Sequence, residues 1–153
     1  MRLLMTTARV SLFLLAAPIV AGCQTLGGSG LIQSSAQTTL TPESATAISD
    51  EMAARLIEHV GPGTATIQLQ VDGSLFGQAL ETSLKSRGYA VATDQKASGT
   101  GIVPLAYTVD TFEAEVMVRL STPSLTLTRI FAISAAGAAP ISPLSVMTTG
   151  QGS

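Results

Sequence analysis

The chain carries one thiol, Cys23, and one imidazole, His59. Nucleophilic catalysis needs a nucleophile, a base and an orienting acid held close together. Ser74 or Ser121 with His59 is the only set of types on offer. His59, however, lies beside an apolar helical stripe near the helix C-terminus, where the dipole favours a partly positive imidazole, and it reads as a helix-end residue. Glu113 and Glu115 share one face of a strand pattern and read as a solvated face. Gly61-Pro62-Gly63 and Gly99-Thr100-Gly101 lack the Lys and the strand-to-helix setting of a phosphate loop and read as turns. One Cys and one His cannot build a structural zinc site, and one Cys cannot form an internal disulfide. No catalytic residue, metal site or cofactor is assigned, and the protein is read as a non-enzyme.

What remains is the chemistry of the thiol. Arg2 and Arg9 bracket a short basic region, and Val10 to Val20 is an uncharged apolar run of eleven residues. A membrane-spanning helix takes about 20 residues, so this run fits the apolar core of a signal peptide. Small residues at Ala21 and Gly22 let the backbone lie extended in a peptidase cleft, and Cys23 follows as a nucleophile able to take a diacylglyceryl group. The segment Val20-Ala21-Gly22-Cys23 resembles the lipobox of bacterial lipoproteins. That resemblance implies removal of residues 1–22 and lipid attachment at Cys23. Several acyl chains, at about 0.8 kcal/mol per buried CH₂, make such an anchor stable. Residue 24 is Gln and not Asp. Among lipoproteins of this kind, that implies sorting to the periplasmic leaflet of the outer membrane.

The elements that must position anything else are set by charge and periodicity. The 153 residues have a mean hydropathy of +0.43, part of it owed to the apolar leader. Beyond residue 22, six basic and ten acidic residues leave a net charge of −4, with no basic run to bind nucleic acid. All sixteen lie between Glu43 and Arg129. Residues 23–40 are rich in Gly, Ser, Thr and Gln and read as a flexible tether, with a coil span of roughly 21–25 Å. Residues 41–131 read as a folded domain, and 132–153 as an uncharged small-residue tail. Isolated apolar residues on the two arms, Leu31 and Ile32 on the first and Leu144, Val146 and Met147 on the second, are the candidate docking positions.

Within the domain, Thr41-Pro42-Glu43 starts a helix. Ala45, Ile48, Met52, Leu56 and Val60 give it one apolar stripe, and Gly61-Pro62-Gly63 stops it. Thr64 to Val71 alternates as a half-buried strand. Asp72-Gly73-Ser74 turns into a second helix with Leu75, Phe76, Ala79, Leu80, Ser83 and Leu84 inward and Gly88 as terminator. Strands follow at Tyr89 to Ala92, Ile102 to Val109, Phe112 to Leu120 and Ser124 to Phe131. Pro104 marks an edge or a bulge, and Phe112 is placed on the inner face with Val116, Val118 and Leu120. The order α-β-α-β-β-β-β predicts an α+β fold: a small mixed or antiparallel sheet with two helices packed on one face.

Several segments then resemble one family when taken in order. They are Leu40-Thr41-Pro42-Glu43, Val60-Gly61-Pro62-Gly63-Thr64, Asp72-Gly73-Ser74-Leu75-Phe76-Gly77, Gly88-Tyr89-Ala90-Val91, Val103-Pro104-Leu105-Ala106-Tyr107, Arg119-Leu120-Ser121-Thr122-Pro123 and Pro143-Leu144-Ser145-Val146-Met147. With the lipobox, this set resembles the TrbH family of conjugal transfer lipoproteins over about residues 40–150. The resemblance implies an outer-membrane lipoprotein component of a mating-pair-formation apparatus, a type IV secretion machine that moves plasmid DNA between bacteria. It implies outer-membrane core proteins as partners, several copies in a ring, and no catalytic residues. The alternative is an auxiliary lipoprotein of another envelope system, such as a lipid transporter.

Overall fold

A computed structural model describes residues 34–36, 40–61, 65–94, 97, 99–112 and 115–149. The first element is a two-residue strand, β1 (Ser35–Ala36). α1 (Pro42–Val60) follows: Thr41 Oγ1 accepts from Ser44 N at 3.2 Å, Pro42 occupies the first turn, and Glu43 faces the positive end of the dipole. Gly61 ends the helix with φ 87°, its N–H donating to the Ile57 carbonyl. The expected stripe is inside, with Ile48 and Met52 fully buried. β2 (Thr66–Leu69) leads to α2 (Leu75–Ser86), capped by Ser74 and closed through Gly88, whose φ of 89° suits a residue without a side chain.

β3 (Ala90–Ala92), β4 (Ile102–Phe112), β5 (Glu115–Ser121), β6 (Leu125–Ser134), β7 (Gly137–Pro140) and β8 (Ser145–Thr148) complete the described elements. The sheet runs β3-β2-β4-β5-β6-β7, with β1 also on β4 and β8 also on β6. β1, β2 and β3 are parallel to their partners, whereas β4 to β8 form an antiparallel meander. The fold is thus α+β with a mixed sheet. Ile67, Leu69, Leu105, Tyr107, Val109, Val118, Leu120 and Leu127 join the buried residues of α1 and α2 in one core. Burial of each such side chain contributes about 1.5–3 kcal/mol.

Several local features differ from the sequence reading. Phe112 is 59% exposed. It is the last residue of β4 and pairs with Glu115, so the turn resets the alternation and puts Phe112 opposite in phase to Val116 and Val118. Pro104 lies within β4, between β2 on one side and the end of β5 on the other. Gly101 and Leu105 accept backbone bonds from β2; Pro104 occupies the alternate phase, facing past Ser121, the last β5 residue in the ladder. Its missing N–H therefore leaves no rung empty. After β3, the Asp94 and Ala97 carbonyls accept from Gln68 Nε2 at 3.2 and 3.0 Å.

The sheet also reaches beyond the expected limits of 41 and 131. Ser34 is buried and Ala36 packs on the core. At the other end β6 continues to Ser134, and residues 137–140 and 145–148 return along it as β7 and β8. Four residues, 141–144, stand against Arg129 and Ile130, a bulge with two extra residues. Arg129 holds it. The side chain is on the helix-covered face, opposite Val118, and 17% exposed. Its Nη1 pairs with Glu51 of α1, and its Nε donates to the Ser142 carbonyl at 3.1 Å. Arg129→Ala is expected to cost about 1–3 kcal/mol. It should also speed amide exchange at Ile141, which donates to the Ile130 carbonyl, more than exchange in α2. Equal protection of Ile141 in both proteins would show that the bulge does not depend on Arg129.

Candidate functional site

Two places gather the polar and exposed groups that the fold does not use for its core. The first is a seam between the tether and the domain. Asp72 and Ser74 flank Gly73 at the turn before α2, and Tyr107 stands in the middle of β4. Tyr107 Oη donates to Asp72 Oδ1 at 2.5 Å and receives the Asp72 N–H at 3.3 Å. Ser74 Oγ lies 3.3 Å from the same hydroxyl and accepts the Gly77 N–H at 3.1 Å. Asp72 also accepts from Ser74 N at 3.0 Å and, through Oδ2, from Ala36 N at 2.8 Å. Tyr107 N completes the ring by donating to Ser34 Oγ at 3.2 Å.

The tyrosine is 1% exposed, and Phe76 meets its ring edge-on with centroids 5.0 Å apart. Gly77 allows this approach. A Cβ there would overlap Tyr107 Oη and come within 3.2 Å of Cζ. Two of the segments quoted above, 72–77 and 103–107, are thereby brought into contact. The electrostatics follow from the same bonds. Partial burial works against the Asp72 carboxylate, but hydrogen bonds from the Ser74 and Tyr107 side chains and from the Ser74 and Ala36 backbone outweigh it and lower its pKa. Burial, then the bond to Asp72, pushes Tyr107 up to about 12. The pair is an ionised acceptor and a neutral donor through the physiological range, a clasp and not an acid/base couple.

The second place is the surface of the tail. Leu144 packs against the core, whereas Val146 is 42% and Met147 66% exposed. Thr148 and Thr149 form one wall of a cleft of about 460 Å³, shared with His59, Val60, Val103 and Leu125. His59 is exposed there. Ser74 is committed to the seam through Tyr107 and Gly77, and Ser121 ends β5. Cys23, Leu31 and Ile32 lie outside the described residues. Among those described, no group of three His, Cys, Asp or Glu side chains has metal-holding geometry, and no helix is long and apolar enough to cross a membrane.

Sequence reasoning passed over Tyr107 and Arg129 as functional polar residues. Each had a signal. Tyr107 alternates with Leu105 and Val109, so its hydroxyl must be buried and needs a partner. Arg129 is in phase with Leu125, Leu127 and Phe131, so its charge must find a carboxylate.

Comparison with known proteins gives one family. The profile described as "Conjugal transfer protein TrbH" matches residues 26–150. A protein named "Probable conjugal transfer protein TrbH" from Sinorhizobium fredii (strain NBRC 101917 / NGR234) is 47% identical over 134 residues, covering 84% of this chain and 90% of that protein. No solved structure is significantly similar.

Two outcomes test the seam. Gly77→Ala should destabilise by about 1–3 kcal/mol through overpacking, and less in a Tyr107→Phe background, which lacks the clashing oxygen; additive losses in a double-mutant cycle would refute the close contact. The Asp72 contribution should be present above the ordinary carboxylate range and fade as pH falls through the lowered folded value. Because Tyr107 is raised, its own contribution is whole below pH 10 and fades toward about 12. Urea unfolding against pH should therefore be flatter at the acid end in Asp72→Ala and at the alkaline end in Tyr107→Phe.

Proposed function

The chain belongs to the TrbH family of conjugal transfer proteins, and from that premise we propose that it is a lipid-anchored structural subunit of the envelope apparatus that carries out conjugative transfer. In this reading residues 1–22 are a signal peptide, Cys23 bears the acyl chains, palmitate among them, and the domain stands in the periplasm under the outer membrane. It docks on outer-membrane core proteins of a type IV secretion, or mating-pair-formation, apparatus, in several copies arranged as a ring. Its work is assembly and not catalysis, and it makes no direct contact with the DNA.

One observation carries the proposal. The single thiol of the chain ends an eleven-residue apolar run behind a basic start, which is what acylation requires and what an interior cysteine would not display. The domain geometry supports the same reading. Ten residues, 24–33, lie between the anchored Cys23 and the seam at Ser34, a reach of at most about 40 Å. The domain is therefore leashed close to the membrane and not merely loosely attached to it. Arg129 pairs with Glu51, and Arg55 with Glu51 and Glu58.

Cys23→Ser decides it. The variant is expected to lose incorporation of labelled palmitate, to leave the outer-membrane fraction, and to reduce plasmid transfer at least tenfold when it replaces the native protein. A serine variant that still floats with the outer membrane and transfers at the parental frequency would remove the anchoring role.

A further inference from the structure

The strand by which the chain enters the sheet is held by polar contacts and by little else. From Gln33 to Thr39 the sequence has no charge and no large apolar side chain. β1 pairs with β4 over two residues, Ser35 with Thr108 and Ala36 with Val109. Two further bonds fasten it: Ala36 N donates to Asp72 Oδ2 at 2.8 Å, and Tyr107 N donates to Ser34 Oγ at 3.2 Å. Ala36 is the only apolar side chain of the three, and although it packs on the core, a methyl group buries little area. Asp72 is exposed, so water reaches the bond it makes to Ala36. Few buried apolar contacts and solvent-accessible backbone bonds mark a segment that opens by itself.

The sheet keeps its other pairings without β1. The Leu105 carbonyl and the Tyr107 N–H, two residues apart on β4, point to the same side. The first accepts from Gln70, just past β2, and the second donates to Ser34. β2 therefore leaves β4 where β1 takes it up, and opening β1 leaves the ladder of 66–69 with 102–105 whole. Asp72 would keep the Tyr107 hydroxyl and the Ser74 N–H, and the freed Tyr107 N–H would turn to water. Opening stops at Leu40, which is 5% exposed, and at Thr41, which caps α1.

We propose that β1 is a releasable strap that gives the tether two lengths. Latched, the ten residues 24–33 join Cys23 to Ser34 over at most about 40 Å; released, the sixteen residues 24–39 join Cys23 to Leu40 over at most about 60 Å. A pull on the tether frees β1 before it reaches α1 or the meander. The role as a leash rests on the lipid-anchored reading above, whereas the release itself does not.

Amide hydrogen exchange on the full-length chain, purified from membranes in detergent, tests the strap. Ala36 should exchange at least a hundredfold faster than Met52 in α1 and Val118 in β5. Asp72→Asn should speed Ala36 at least tenfold more than it speeds the other two. A disulfide in Ser35→Cys/Thr108→Cys, which joins direct neighbours across the ladder, should slow Ala36 to the rate of Val118. An Ala36 as slow as Met52 and Val118 in the parental chain overturns the proposal, because β1 then opens only with the whole domain. So does a fast Ala36 that the disulfide leaves fast, or an Asp72→Asn variant that speeds all three amides equally, leaves Ala36 unchanged or does not fold. Labelled palmitate separates the two readings. A chain that carries palmitate and a slow Ala36 keeps the anchor and loses the strap; a chain without palmitate has no leash to lengthen, whatever its exchange rates.

Discussion

The hydroxyl of Tyr107 against the carboxylate of Asp72 is the contact on which the arrangement of the molecule turns. Tyr107 sits in the middle of β4, the strand that joins the parallel half of the sheet to the meander. A buried phenol needs a partner, and the loop before α2 supplies one with its own backbone donors already aimed at it. The same carboxylate accepts the Ala36 N–H, which brings the tether onto the domain. One acceptor thus fixes a strand, a helix start and the entry of the chain. Gly77 follows from it, because α2 can approach the hydroxyl only without a Cβ. The donors reaching Asp72 from Ser74, Tyr107 and the Ala36 backbone also explain why its charged form is favoured despite the cost of partial burial.

A second polar contact does for the end of the chain what the first does for its beginning. Arg129 brings a charge onto the helix-covered face of the sheet, which is unfavourable unless a carboxylate meets it. Glu51 of α1 does so, and the remaining donor capacity takes the Ser142 carbonyl. The bulge at 141–144 is held by that pairing and by Ser142 Oγ accepting the Ile130 N–H.

Much of this was readable from the amino-acid pattern, for stated reasons. α1 and α2 announce themselves through caps, a 3.6-residue stripe and terminating glycines, all of which are local. The strands from β2 to β6 alternate where one face is buried, and the order of elements leads to an α+β sheet with its helices on one face. Phe112 was misplaced because alternation carries no record of where a hairpin turns. The two arms were set apart from the domain because charge was taken as the mark of a folded surface. β1 and β8 are short elements of two and four residues, and their places depend on pairing with residues elsewhere in the chain, at Thr108 and at Leu127. Side-chain type does not encode that pairing. Of the candidate positions, Val146 and Met147 are exposed and Leu144 packs in part against the core.

The seam and β8 stand on opposite sides of the antiparallel meander. From β1 the order passes through β4, β5 and β6 to β8, four strand spacings, or about 19 Å. The described chain enters the sheet at Ser34 and β1, on the side away from β8. Under the lipid-anchored reading proposed above, a pull on the residues before Ser34 would fall on β1 and the Asp72 clasp, and the antiparallel meander would lie outside that path. The two uncharged arms, so alike in composition, take different places: one is clasped to the sheet where it enters, and the other extends the sheet as β7 and β8.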